Sequence, residues 1–306
     1  MFNNTRILND KLNFTLYQGD ITHLPEVVSC LEKHNIDTIF HFAAQSHVDL
    51  SFGNSYGFTH TNVHGTQVLL ESAKKVGIKR FIHISTDEVY GEVKDDDLLE
   101  TSILAPTNPY TASKAAAEML VHSYQESFKL PVIIVRSNDV SEPHQYPENM
   151  FYANYLPLTE IIPKFACLLN RGKPVVLHGD GTPTRRYLFA GDAADAFDTI
   201  LHKGQPGQIY NAGSYDEISN LALCSKLLSE MDLPHESPED FSSWVKYTHD
   251  RPFNDRRYAD QKTPFTDGLR ITVEWYRRFG EVWWDDISKA LSPFPIVAAD
   301  WTIPSD

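Results

Sequence analysis

Between residues 14 and 136, short apolar runs alternate with longer segments in which apolar positions recur at helical spacing. Phe14-Thr-Leu-Tyr-Gln-Gly-Asp20 reads as a strand ending in a turn, and Pro25 to His34 as an amphipathic helix. Thr38-Ile-Phe-His-Phe-Ala-Ala44 is the next strand. A helix over Thr61 to Val76 is stopped by Gly77, Arg80-Phe-Ile-His-Ile-Ser85 is again a strand, and a helix over Ser113 to Phe128 leads into the strand Val132-Ile-Ile-Val-Arg136. Such alternation predicts an α/β fold, a doubly wound parallel sheet covered by helices on both faces. Ligands of such sheets collect at the carboxyl ends of the strands, which places Ala43 to Ser46, Ser85 to Glu88 and Ser137-Asn138 on one edge.

Past residue 140 the chain becomes rich in proline and aromatic residues, with helices predicted over 160–171, 192–203 and 219–231. Residues 1–140 therefore read as the sheet domain and 141–306 mainly as a smaller α/β lobe over its cleft. Gln208-Ile-Tyr-Asn-Ala-Gly213 reads as a strand that returns from the lobe to the main sheet.

Composition narrows the classes. A chain of 306 residues with 42% hydrophobic and 22% charged residues is globular. Its net charge of -14 offers no basic field for nucleic acid or an anionic membrane, so any anionic ligand must be held by local arginines. Cys30, Cys167 and Cys224 are too few and too widely spaced for a disulfide framework or a zinc motif and read as reduced core thiols. His41, His47, His83 and His178 lack metal-ligand spacing, so no metal is expected. Arg6, Asp10 and Lys11 interrupt the N-terminus, and no run of about eighteen apolar residues occurs, so the expected location is the cytoplasm. Asp95-Asp96-Asp97 reads as a solvated turn.

The densest chemistry is Ser85-Thr86-Asp87-Glu88-Val89-Tyr90-Gly91, followed by Tyr110-Thr-Ala-Ser-Lys114. Four residues apart, Tyr110 and Lys114 share one face of a helix start. A tyrosine ordinarily titrates far above neutrality, and Lys114 is placed to supply the cation that would let Tyr110 act as a base. Asp87 and Glu88 can serve as acid and base only if burial and mutual repulsion push their pKa values apart. Taken alone, Tyr-x-x-x-Lys is a common spacing, and two acids at a strand end also suit an ordinary polar turn.

Tyr110 and Lys114 with Ser85-Thr86, His41-Phe-Ala-Ala-Gln-Ser-His-Val-Asp49 and Thr61-Asn-Val-His-Gly-Thr66 resemble the extended short-chain dehydrogenase/reductases. Within them, Thr86-Asp87-Glu88 resembles the nucleotide-sugar 4,6-dehydratases. The resemblance covers most of the chain, continuing through Pro147-Glu148, Ile162-Pro163-Lys164-Phe165, Gly179-Asp180-Gly181, Arg185 to Leu188 and Asp250 to Tyr258. Val282 to Leu291 leans toward the UDP-glucose branch.

The resemblance implies an NAD-dependent lyase of rhamnose biosynthesis that converts UDP-glucose, or else dTDP-glucose, to the 4-keto-6-deoxy sugar. The route is transient oxidation at C4, loss of water across C5 and C6, and re-reduction. By the same resemblance Tyr110 is the base at the 4-hydroxyl, Thr86 holds that hydroxyl, Glu88 takes the C5 proton and Asp87 donates to the departing 6-hydroxyl, with Lys114 beside Tyr110. Asp20, Ile21, Ala43, Ala44, Thr61, Ser85, Tyr110 and Lys114 correspond to NAD contacts, and Ser46, Asn138, Arg185, Arg251 and Asn254 to nucleotide-sugar contacts. A homodimer through a helix pair that includes the Tyr110 helix is also implied. An epimerase or decarboxylase on the same scaffold is the alternative activity.

One departure is large. No three glycines stand at the Gly-x-x-Gly-x-x-Gly spacing of the family's phosphate-binding turn, and the first strand-turn-helix unit is not found ahead of Asp20. Asn149 to Glu160 interrupts a junction that is continuous in the family, Tyr258-Ala-Asp260 passes directly to Gln261, and Ser141-Glu142 replaces Tyr-Gly. The sequence thus reads as a member shortened at its N-terminus, with an exposed sheet centre, low stability and weak NAD binding expected, and with a noncatalytic chain that binds a nucleotide sugar or a partner subunit as the competing reading.

Overall fold

A computed structural model describes residues 8, 11, 13–91, 98–141, 161–214, 216–248, 263–280 and 282–283. In chain order these form α1 (Leu24–Lys33), β1 (Thr38–His41), α2 (Val48–Gly53), α3 (Ser55–Phe58), a π-helical turn at Thr59–His64, α4 (Gly65–Val76), β2 (Arg80–Thr86), a 3-10 turn at Asp87–Tyr90 and α5 (Pro109–Phe128). There follow β3 (Val132–Ser137), β4 (Asp139–Ser141), α6 (Ile161–Asn170), β5 (Val175–His178), β6 (Thr184–Phe189), α7 (Ala190–Lys203), β7 (Ile209–Ala212), β8 (Glu217–Ser219), α8 (Asn220–Glu230), α9 (Pro238–Trp244), β9 (Val245–Thr248) and α10 (Phe265–Phe279).

The principal sheet is parallel, in the order β1-β2-β3-β7. Every residue of β3 is buried, as expected of a strand covered on both faces. Val132 and Ile134 point into a core shared with Leu70 of α4 and Val121 of α5, while Ile133 and Val135 point into a second core with Ile200 of α7 and Ala212. The strand predicted over 208–213 returns as β7 and pairs with β3. A further core gathers α6, α8 and α10 around Val175, Leu177 and Tyr187, and the small sheets β4-β6-β8 and β5-β9 belong to this later part of the chain.

Three predicted boundaries move, each for a local reason. Residues 14–20 are not a strand: they run almost entirely exposed, and a strand without a hydrogen-bonded neighbour has no ladder. β1 stops at His41 rather than Ala44, because farther on the Gln45 backbone is occupied by the Asn62 side chain, donating N–H to Oδ1 at 2.7 Å and accepting from Nδ2 at 2.9 Å. α5 begins four residues before the predicted start, at Pro109. There the Asn108 side chain accepts from Thr111 N at 3.0 Å and the Thr111 hydroxyl accepts from Asn108 N at 3.2 Å, a reciprocal cap in front of a proline that cannot donate.

β1 is the edge of the principal sheet among the described residues, and Ile36 and Phe42 stand exposed at its two ends. The turn at Asp95–Asp97, the breaks at 142–160 and the segment 250–261 lie outside the described residues.

Phe81 in β2 has no exposed surface and packs edge-on against His41 within the α4–α5 core. Phe81→Ala is expected to cost about 3–5 kcal/mol, read as a lowered denaturant midpoint at unchanged slope.

Candidate active site

β2 delivers its last residues to the carboxyl edge of the sheet, where Thr86 pairs with Ser137 and Ser137 with Ala212. Thr86 caps the turn that follows: its Oγ1 accepts from Glu88 N at 3.1 Å and lies 3.4 Å from Asp87 Oδ1. Asp87 and Glu88 are both buried. Gly91 ends the turn at φ +77°, and a Cβ there would lie 2.1 Å from the Ala105 carbonyl oxygen, so only glycine lets the chain pass.

Tyr110 and Lys114 reach the same place from the first turns of α5, and both are buried. Lys114 Nζ donates to the Ile84 carbonyl at 2.6 Å. Burial lowers the lysine pKa to about 8, against the Glu118 carboxylate one turn farther on, which raises it. The tyrosine departs from expectation. Its pKa is raised rather than lowered, first by burial and next by the Glu88 carboxylate; Thr86, as a hydrogen-bond partner, opposes the rise, and Asp139 and Asp87 add to it. Burial and the neighbouring carboxylates thus favour the protonated phenol.

Beneath Lys114 lie two imidazoles in register on β1 and β2, His41 and His83, with ring centroids 5.2 Å apart. Thr66 Oγ1 donates to the Asn62 carbonyl at 2.5 Å, so the 2.9 Å contact to His41 Nε2 must have histidine as donor. That assigns His41 the tautomer protonated at Nε2. Burial, and secondarily the Lys114 charge, push its pKa down to about 3, and the His83 pKa falls well below the ordinary value for the same first reason. Burial thus favours the neutral form of both rings.

The expected NAD-contact residues lie on several elements. Ile21 packs against the start of α4, where a Cβ on Gly65 would lie 2.7 Å from its Cδ1. Asp20 is exposed, and its carboxylate accepts from Thr22 N and Oγ1, each at 2.8 Å, which lowers its pKa. Thr61 is half-buried in the π-helical turn, Ala43 and Ala44 precede the Gln45 backbone that Asn62 clamps, and Ser85 lies on β2. Of the expected sugar-nucleotide contacts, Asn138 is buried at the end of β3, Ser46 is exposed, and Arg185 forms a 3.8 Å ion pair with Asp139. Arg251 and Asn254 lie outside the described residues.

The model of the family described as GDP-mannose 4,6 dehydratase matches residues 2–269. The chain belongs to this family of nucleotide-sugar dehydratases. It is 42% identical over 304 residues to dTDP-D-glucose 4,6-dehydratase of Homo sapiens, across 96% of this chain and 83% of that protein. A trifunctional UDP-glucose 4,6-dehydratase/UDP-4-keto-6-deoxy-D-glucose 3,5-epimerase/UDP-4-keto-L-rhamnose-reductase of Arabidopsis thaliana is 46% identical over 298 residues, 92% of this chain and 42% of that longer protein. Among solved structures, dTDP-glucose 4,6-dehydratase from Streptomyces venezuelae with NAD and TYD bound superposes with a TM-score of 0.82 at 33% identity, covering 92% of this chain and 85% of that one.

Two residues of this dehydratase-family site were not singled out from sequence. Asn62, inside Thr61-Asn-Val-His-Gly-Thr66, also donates to Ser113 Oγ at 2.8 Å and so joins the loop after β1 to α5. The π-helical geometry of Thr59–His64 turns it inward, a local departure from 3.6-residue spacing that periodicity does not reveal. Asp139 follows Asn138 directly, and only the spatial approach of Tyr110 and Arg185 makes it part of the site.

The Lys114 titration has a measurable sign. Its folded pKa of about 8 lies below the ordinary 10.5, so between those values the unfolded chain binds more protons and stability rises with pH. Below that window the full cost of burying the ammonium is present. Denaturant midpoints measured from pH 7 to 10.5 should show this increment in the parent and lose it in Lys114→Met.

Proposed function

We propose that this chain is a nucleotide-sugar 4,6-dehydratase that takes UDP-glucose, with dTDP-glucose as second choice, to the 4-keto-6-deoxy sugar. The observation that carries the reading is the convergence, at the end of β2, of Thr86, Asp87 and Glu88 with Tyr110 from α5, in a chain of the 4,6-dehydratase family. The higher identity to the plant UDP-glucose relative, 46% against 42%, supports UDP-glucose first.

Residues at the nicotinamide end fit NAD. Ser85 Oγ and Asn138 Nδ2 are buried without a hydrogen-bond partner among the described residues, and a bound polar molecule at the strand ends would satisfy them. Ser85, Tyr110 and Lys114 would hold the cofactor there, with Thr61, Ala43, Ala44, Asp20 and Ile21 along its ribose and adenine end. When bound, NAD supplies reversible hydride acceptance and return. The protein's own groups then divide the proton traffic. Thr86 Oγ1 and the Tyr110 hydroxyl orient the sugar 4-hydroxyl, and Tyr110 takes its proton once positive charge beside it offsets the neighbouring carboxylates. Glu88 takes the C5 proton made acidic by the new 4-keto group. Asp87, protonated, donates to the 6-hydroxyl that leaves as water. Both acids are buried, the setting in which their pKa values can diverge. Arg185, Asn138 and Ser46 are assigned to the sugar nucleotide, together with Arg251 and Asn254.

We assign a homodimer through the α3–α5 surface, where Tyr56 and Met119 are exposed at 82% and 53%. No described helix is long and apolar enough to cross a membrane. The cytoplasm is the proposed location, in keeping with three cysteines that form no disulfide.

A second reading rests on a different observation: β1 is a sheet edge among the described residues, open to a partner strand. A noncatalytic chain that binds a nucleotide sugar or a partner subunit would show neither NAD-dependent fluorescence change nor keto-sugar absorbance in alkali with UDP-glucose or dTDP-glucose. Those two results together would overturn the dehydratase reading.

Within that reading the acids separate from the tyrosine. Asp87→Asn should slow elimination by about 10²–10⁴-fold while leaving C4 oxidation less affected, so that the 4-ketoglucose intermediate builds up in rapid-quench samples. Tyr110→Phe should suppress the oxidation itself. An epimerase or decarboxylase would show little response to Asp87→Asn.

A further inference from the structure

Four residues beyond Lys114 on α5 stands Glu118, fully buried. Its partner is Arg136 of β3, 3% exposed, whose Nε donates to both carboxylate oxygens at 3.2 Å and whose Nη2 donates to Oε2 at 2.7 Å. The same guanidinium turns its remaining nitrogen the other way: Nη1 donates to Tyr90 Oη at 2.7 Å and to the Glu100 carbonyl at 3.1 Å, and the guanidinium carbon lies 4.7 Å from the Tyr90 ring centroid. Tyr90 is the last residue of the turn that carries Asp87 and Glu88. Its hydroxyl donates onward to Asn211 Oδ1 on β7 at 2.7 Å, while Asn211 N donates to Glu100 Oε1 at 2.9 Å and Asn211 Nδ2 to the Leu98 carbonyl at 3.1 Å.

One buried cation is thus bonded to both halves of the site. We propose that Arg136 and Glu118 are positioning residues that hold the acid-bearing turn, through Tyr90, at a set distance from the helix that carries Tyr110 and Lys114. The proposal deepens the dehydratase reading and rests on it for its functional meaning. Fold stability alone does not account for such a pair, because well-packed apolar residues of similar volume commonly replace a buried ion pair without loss. A planar fork with donors left over is what two-sided bracing requires, and a lysine cannot supply it. Electrostatics adds a second consequence: the Glu118 carboxylate, bound to Arg136, raises the Lys114 pKa against the effect of burial.

The test compares the parent with Arg136→Met/Glu118→Leu, which removes both members of the ion pair, and with Arg136→Lys and Tyr90→Phe. Two readouts need neither cofactor nor substrate: amide hydrogen exchange across residues 87–91, and the pH dependence of Lys114 acylation followed by mass spectrometry. In the double variant, exchange at 87–91 should rise about tenfold, the loss of one charge-assisted hydrogen bond, while Phe81 to Ile84 stays protected. The Lys114 midpoint should fall below that of the parent, a change that looser packing by itself does not produce. Tyr90→Phe should loosen the turn and leave the Lys114 midpoint in place. If the double variant does not fold, Arg136→Lys carries the test, with faster exchange at 87–91 expected and unchanged exchange refuting the bracing. A folded double variant with parental exchange and a parental Lys114 midpoint overturns the proposal. Failure of the dehydratase reading would instead appear as absence of keto-sugar from the parent itself, with both cofactor-free comparisons intact.

Discussion

An ammonium inside a protein is tolerable only where its charge and its donors are met, and Lys114 is buried under that constraint. It donates to the Ile84 carbonyl at 2.6 Å, two residues before Thr86, and stands one helical turn from the Glu118 carboxylate. The first contact ties α5 to β2; the second is a charge attraction within α5 to the carboxylate that Arg136 of β3 pairs. Helix and strands cannot shift independently without stranding a charge in a low-dielectric interior. Tyr110, one turn before Lys114, inherits that placement and arrives beside Thr86 and Glu88.

The surrounding polar groups extend the same logic. Asn62 satisfies the backbone of Gln45 where β1 ceases to pair, and its remaining donor reaches Ser113, the neighbour of Lys114 in sequence. His41 and His83 fill the space under the lysine as neutral rings, which avoids adding a second cation to the pocket. Tyr110 is left among carboxylates, which together with burial raise its pKa.

Much of this was legible in the chain because it is local. Alternating strand and helix patterns located β2, β3 and the returning β7 within a residue or two, since buried parallel strands are nearly continuous apolar runs. The spacing of Tyr110 and Lys114 predicted a shared helical face, and the Asn108-Pro109 cap places that helix start. Short elements such as β4, β5, β8 and β9 were not predicted, because three or four residues leave no period to count and their pairing depends on partners far along the chain. Residues 14–20 show the converse: an alternating pattern without a neighbour beside it does not become a strand.

Residue types and their spacing were enough to determine a parallel α/β sheet, a strand-end cluster of Thr86, Asp87 and Glu88, a Tyr110/Lys114 helix face, and the absence of a three-glycine turn from these 306 residues. Tertiary structure alone decided what surrounds that cluster. Whether Lys114 reaches the Ile84 carbonyl, and whether Glu118 is paired by Arg136, depends on distances between residues 18 to 30 positions apart in sequence. Electrostatic interaction varies with separation and burial, and neither quantity is written in the order of the residues.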